Sequence, residues 1–111
     1  MESILTSIKK LLGPAEEYDH FDPDIIMHIN SVISDLTQLG VGPAEGYEIQ
    51  DARDTWDEFI GDNPKFNKVK TYIYLRVRLL FDPPTNSRVI ESMEKDIEKL
   101  EWLLNVAAET K

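Results

Sequence analysis

Asp19, His20, Asp22 and Asp24 place three carboxylates and an imidazole within six residues, the ligand types that calcium and zinc accept. The spacing argues against a cation site, because the glycine and the terminal glutamate of a calcium loop are missing. Such a run instead supplies negative charge at a helix start, where free N–H groups and the helix dipole favour it. His28 falls at the edge of an apolar helical arc, which suits a satisfied boundary histidine better than a ligand or a pH switch. With no cysteine in the chain, disulfides, thiolate metal sites and thiol nucleophiles are excluded together. G-x-S-x-G, Walker, H-E-x-x-H and Gly-rich dinucleotide patterns are also missing. The residues therefore point to no enzyme, with no catalytic group, cofactor or metal.

Four residues stand out as contact candidates instead. Arg76 lies inside the apolar arc of its helix, beside Val69 and Leu80, where a guanidinium must find a carboxylate or carbonyl. Its partner is either internal or on another subunit. Arg78 shares its helix on a polar strip with Asn67 and Thr71. Met27 points away from the apolar arc of its own helix, and its adaptable side chain suits a partner surface. Trp102 lies well off the seam of the last helix, either packed under the N-terminal helix or acting as an interface anchor.

Charge is polarised along the 111 residues, whose net charge is −9. Residues 14–63 hold thirteen of the 21 acids and a single base, Arg53, whereas 64–81 hold Lys65, Lys68, Lys70, Arg76 and Arg78 with no acid. An acidic chain is repelled by nucleic-acid backbones, so sequence-specific DNA binding is not expected. No apolar run approaches the roughly 20 residues that span a bilayer, so no membrane association is expected. The opening Met-Glu-Ser lacks the grammar of a signal peptide, so synthesis and residence in a cytoplasm are the expectation.

These residues need elements to hold them, and apolar periodicity supplies four helices in one all-α, bundle-like domain over residues 1–111. Ile4, Leu5, Ile8, Leu11 and Leu12 form a stripe over 3–12, stopped at Gly13-Pro14. Asp22-Pro23 opens a second helix over 22–39, the Asp as N-cap and the Pro at the first position, with Ile25, Ile26, Ile29, Val32, Ile33, Leu36 and Leu39 on its apolar arc. Asn63-Pro64 repeats the signal for a helix over 64–81, apolar nearly all round and therefore buried between neighbours. Asp82-Pro83-Pro84 ends it. A last helix from 86 or 87 to 107 carries Val89, Ile90, Met93, Ile97, Leu100 and Leu104 on one seam.

Between the second and third main helices lies a long acidic irregular segment. Three glycines and a proline crowd residues 40–46, Tyr47-Glu48-Ile49 suggests a brief extended piece, and Thr55 to Glu58 has capping-box spacing for one short turn ending near Gly61. The loop over 42–62 carries seven acids and one arginine. Tyr47, Ile49, Trp56, Phe59 and Ile60 would tack its ends to the bundle while contributing little to the core. Glu45, Glu48, Asp51 and Asp54, lacking cationic partners nearby in sequence, would form an assembly surface or a channel wall.

The order of elements, a short first helix with IKKLLG and then, as its two sharpest segments, DPDIIMHINSVISDLTQLGVG and YIYLRVRLLFDPP, resembles the small head-tail connector, or head-completion adaptor, proteins of tailed bacteriophages and prophages of Gram-positive bacteria. The resemblance implies a helical bundle without catalysis. It implies a virion protein at the head-tail junction, made in the bacterial host cytoplasm, that forms a ring, a dodecamer, beneath the portal protein. It also implies a DNA channel extended by that ring, through which packaged DNA passes, and a surface for a tail-proximal stopper or tail-completion protein. The family pattern transfers no reactive residue, and the Gly-rich acidic segment after Gly40 is longer than usual. The other reading of so acidic a small chain is a phage-encoded binding protein that mimics DNA or inhibits a host factor, although its acids cluster in turns and do not line an extended face.

Overall fold

The computed structural model describes residues 2–13 and 20–109, and the structural statements below concern those residues. Helix α1, Ile4–Leu12, starts on Ser3, whose hydroxyl accepts from the Thr6 N–H at 3.2 Å. Helix α2, Asp22–Gln38, differs from the expected start. Its cap position is Phe21, with no side-chain bond, and Asp22 is already inside the helix with Pro23 after it. The Asp22 carboxylate serves another element: its Oδ1 meets Lys9 Nζ of α1 at 2.8 Å.

The third expected helix divides in two. Asn63 does cap, accepting from the Lys65 N–H at 2.9 Å, but Pro64–Phe66 is a single 3₁₀ turn. Helix α4, Val69–Phe81, begins only after it. The tighter turn packs against the last helix, α5, Ser87–Glu109. Asn86 caps α5 by accepting from the Arg88 N–H at 2.8 Å. A short helix α3, Trp56–Ile60, forms with both capping-box bonds, Thr55 Oγ1 accepting from the Glu58 N–H and Glu58 accepting from the Thr55 N–H. No strand forms among the described residues; one isolated antiparallel bridge joins Ser3 and Thr55. The fold is all-α and bundle-like.

Helix α4 packs against α1, α2 and α5, the central place that a helix apolar on most sides requires. Its Val69, Tyr72, Ile73 and Val77 are fully enclosed, among Ile4 and Ile8 of α1, Ile25, Ile29, Val32, Ile33 and Leu36 of α2, and Leu104 of α5.

The segment expected to contribute little to the core is built into it through anchors that the sequence names. Ile49, Trp56 and Phe59 are buried members of the same apolar cluster. The physical reason lies in α1: nine residues long, it can enclose Ile4, Ser7 and Ile8 only if something covers the flank that α4 leaves open. Trp56 covers it, its indole N–H donating to the buried Ser7 hydroxyl at 3.0 Å. Two backbone bonds clasp the same place, Ile4 N–H to Asp54 O at 3.0 Å and Trp56 N–H to Glu2 O at 3.2 Å. Further along, Asn30 of α2 acts as a substitute strand for the extended piece. Its side-chain oxygen accepts from the Ile49 N–H at 2.7 Å and its amide donates to the Ile49 carbonyl at 2.9 Å.

Candidate interaction surfaces

Arg76 is committed inside the chain. One end of its guanidinium donates to Asp35 Oδ2 of α2 at 2.7 Å, and the other to the Tyr72 hydroxyl at 2.6 Å. Tyr72 in turn donates to Glu101 Oε2 of α5 at 2.8 Å, so one polar chain ties three helices together. Burial, reinforced by the Glu101 hydrogen bond and opposed by Arg76, pushes the Tyr72 hydroxyl up to about 12. Burial works against the Arg76 charge, yet the bond to Asp35, with those to Tyr72, holds the guanidinium above its ordinary range. Arg78 is also occupied locally, donating to Asp82 O at 2.8 Å and to the Tyr74 hydroxyl at 3.2 Å, which closes the end of α4.

Two expectations follow from this chain. Asp35 is 53% exposed and can rehydrate when its partner is removed, so Arg76→Ala should cost only about 1–2 kcal/mol, not the roughly 3 kcal/mol of a buried orphaned charge. Lys68→Ala should cost close to nothing, and urea titrations of both variants check the difference. The second concerns alkaline pH. A tyrosine whose folded value lies above the ordinary 10.0 holds its proton more tightly when folded. Its contribution is complete below pH 10 and is lost as pH rises toward about 12. Stability should fall across that window, and Tyr72→Phe should flatten the fall in a pH series of melting temperatures.

Trp102 is 66% exposed on the side of α5 opposite its seam. Of its two expected positions, the packed one under α1 is therefore not taken, because Trp56 already covers that flank. Met27 is 57% exposed on the outer side of α2. The structure thus places Met27 and Trp102 on separate helices and engages both arginines within the chain. Leu80, expected within the buried arc of α4, is 52% exposed instead. It stands beside Phe81, whose ring is covered by Phe21 at 5.6 Å and His28 at 6.4 Å, both nearly edge-on. An apolar surface at this end of the bundle was not legible from periodicity.

The acidic segment separates into two kinds of carboxylate. Asp54 accepts from the backbone N–H groups of Gln50 at 2.6 Å and Asp51 at 3.2 Å, and so folds its own turn. Asp51 accepts three hydrogen bonds from the Arg53 guanidinium, the shortest 2.7 Å, and one from its backbone N–H at 2.8 Å, and these bonds hold its carboxyl below the usual range. The expectation that all four acids lack a nearby cation is corrected here, since Arg53 stands two residues from Asp51. Glu45 and Glu48 remain exposed. With Asn30, Ser34, Gln38 and Tyr47 they line a polar groove of about 620 Å³ against α2. The Tyr47 hydroxyl beside it is pushed up to about 12, chiefly by burial and then by the charges of Asp54 and Glu58.

Asp22 is taken by Lys9, Asp19 lies outside the described residues, and no group of three metal-ligating side chains occurs among the described ones. Lys9 itself was missed by sequence reasoning. It is only 6% exposed, because α2 begins over it and supplies the carboxylate. A lysine four residues before a helix-ending glycine carries no signal of burial.

A family model described as "Phage connector protein" matches residues 4–111. The chain belongs to the phage connector protein family. No curated protein and no solved structure matches it. Membership gives this connector a head-tail connecting role and places it in a family of structural proteins, associated with the portal and with head and tail parts of a virion. No described helix of the connector is long and apolar enough to cross a membrane. The geometry agrees with an assembly part: its grooves are open, and large apolar side chains such as Met27 and Trp102 are exposed on outer helix faces.

Proposed function

We propose that this chain assembles as a ring, a dodecamer, beneath the portal protein at the head-tail junction. There it extends the DNA channel and presents the docking surface for a tail-proximal stopper or tail-completion protein. The observation that carries the reading is the family match over nearly the whole chain. Two features support it. The bundle satisfies its own core, including the long loop, so Trp102, Met27 and Leu80 remain for partners. A net charge of −9 lets packaged DNA pass without adhering.

Of the two roles expected for the acidic loop, assembly surface is the one we adopt. A wall facing DNA needs a row of uncommitted carboxylates, and Asp51 and Asp54 are engaged in holding the turn. The test is native mass spectrometry of the chain alone and with purified portal. The expected result is a monomer or weakly associating species alone at low concentration and a twelve-copy ring on the portal. A chain that ignores the portal, or a compact dimer that persists at nanomolar concentration, would overturn the reading.

A further inference from the structure

The loop and the opposite side of the bundle carry complementary, uncommitted charges. At the loop apex, Gly46 N–H donates to Pro43 O at 3.0 Å, and Tyr47 stacks on the buried Phe59 with ring centres 5.3 Å apart. Asn30 then fixes Ile49 on both backbone groups. The turn bearing Glu45 and Glu48 is therefore held from both ends, and among the described residues neither carboxylate has an ion-pair partner. A fixed acidic projection of this kind loses little freedom on docking.

A groove of about 200 Å³ runs between α4 and α5. Leu75, Leu100 and Leu103 make its apolar floor, Thr71 and Asp96 add polar edges, and Lys68 and Lys99 stand on it as exposed cations, also without an ion-pair partner among the described residues. By the helical step, Thr71 lies about 140° round α4 from Arg76, the residue that reaches α2. The groove thus opens away from α2, while the acidic turn lies across the outer side of α2. Donor and acceptor surfaces on opposite sides of one molecule fit a heterologous, head-to-tail contact, the kind that closes rings.

We propose that Glu45 and Glu48 of one copy dock in the α4/α5 groove of a neighbouring copy, against Lys68 and Lys99. The occupant is a second copy of this chain, chosen by charge: two unpaired carboxylates on a preformed turn meet two unpaired ammonium groups around an apolar floor that a small residue such as Ala44 can cover. This deepens the ring reading and rests on it.

Sedimentation velocity at low salt over a concentration series tests it with four proteins: wild type, E45K/E48K, K68E/K99E, and the chain carrying all four changes. Circular dichroism melts confirm that each is folded; the changed side chains are exposed, so all four should be. Each two-residue variant should associate about tenfold or more weakly than wild type, and the four-residue variant should recover most of that loss. Wild-type chains that stay monomeric at the highest soluble concentration and also form no ring on the portal would remove the ring reading itself. Wild-type association that the reversals leave unchanged, or reversals that weaken it without recovery in the four-residue variant, would overturn this contact alone. Loss of portal binding with unchanged self-association would assign the groove to the portal and equally overturn it.

Discussion

Trp56→Ala should lower the unfolding free energy by about 3–5 kcal/mol, a large part of the roughly 5–15 kcal/mol available to a domain of this size. The indole is buried in the common core and donates to Ser7, and its own backbone N–H clasps Glu2. Truncation removes the cover from the flank of α1 and leaves a cavity that the clasped backbone cannot collapse to fill. Trp56→Phe is the informative companion. It keeps most of the apolar area and loses only the N–H donor, so it should cost nearer 1 kcal/mol. Urea titrations of both variants give the comparison. A Trp56→Ala protein within 1 kcal/mol of wild type would mean that the segment rests on the bundle as a detachable flap.

Gly42→Ala should be nearly as damaging, through a different mechanism. Gly42 has φ of +83°, where an L side chain is strained by roughly 1–2 kcal/mol. A Cβ at this position would also lie 2.5 Å from Cε1 of Phe59. That ring is no flexible tip: it is buried and stacked on Tyr47. Displacing it adds roughly 1–3 kcal/mol of overpacking. Gly46 separates the two terms, because its φ of +95° is similar while the space beside it is open. Gly46→Ala should therefore lose only the strain. In thermal melts the Gly42 variant should fall by about 10 °C or more and the Gly46 variant by about half as much. Equal falls would show that the ring yields freely.

What the sequence made legible, and what it hid, follows from the range over which each feature is decided. The capping box at Thr55 and Glu58, the stripe of α1 apart from the exposed Leu11, the seams of α2 and, apart from the exposed Val89, of α5, and the stop after Phe81 are local, and each could be read from neighbours within a few residues. The family resemblance rested on two such segments and was sufficient for the connecting role. The start of α4 was misplaced because Asn63-Pro64 fits a 3₁₀ turn as well as an α-helix, and only packing against α5 chooses between them. The long loop was misjudged for a related reason. Ile49 is held by Asn30, 19 positions away, and Trp56 by Ser7, 49 positions away. Buried residues fixed by such distant partners show no period. Among the contact candidates, the inward commitment of Arg76 was one of two open alternatives, and only the position of Asp35 decides it.

The clasp between Glu2 and Trp56 bears on how the chain is made. The stripe of α1 leaves the ribosome ahead of both its cover, which arrives with Trp56, and its main packing surface, α4, which comes later still. At roughly 5–20 residues per second, translation leaves Ile4, Leu5 and Ile8 without partners for several seconds. Nascent chains must therefore carry an exposed amphipathic helix until α4 emerges, a natural handle for chaperones of the host. Productive folding then waits on the closure of a span of more than fifty residues, whose entropy cost falls on the slow step. Chains halted before α4 should accumulate as chaperone-bound or degraded species, so the supply of assembly-ready subunits is set by how many chains complete α4.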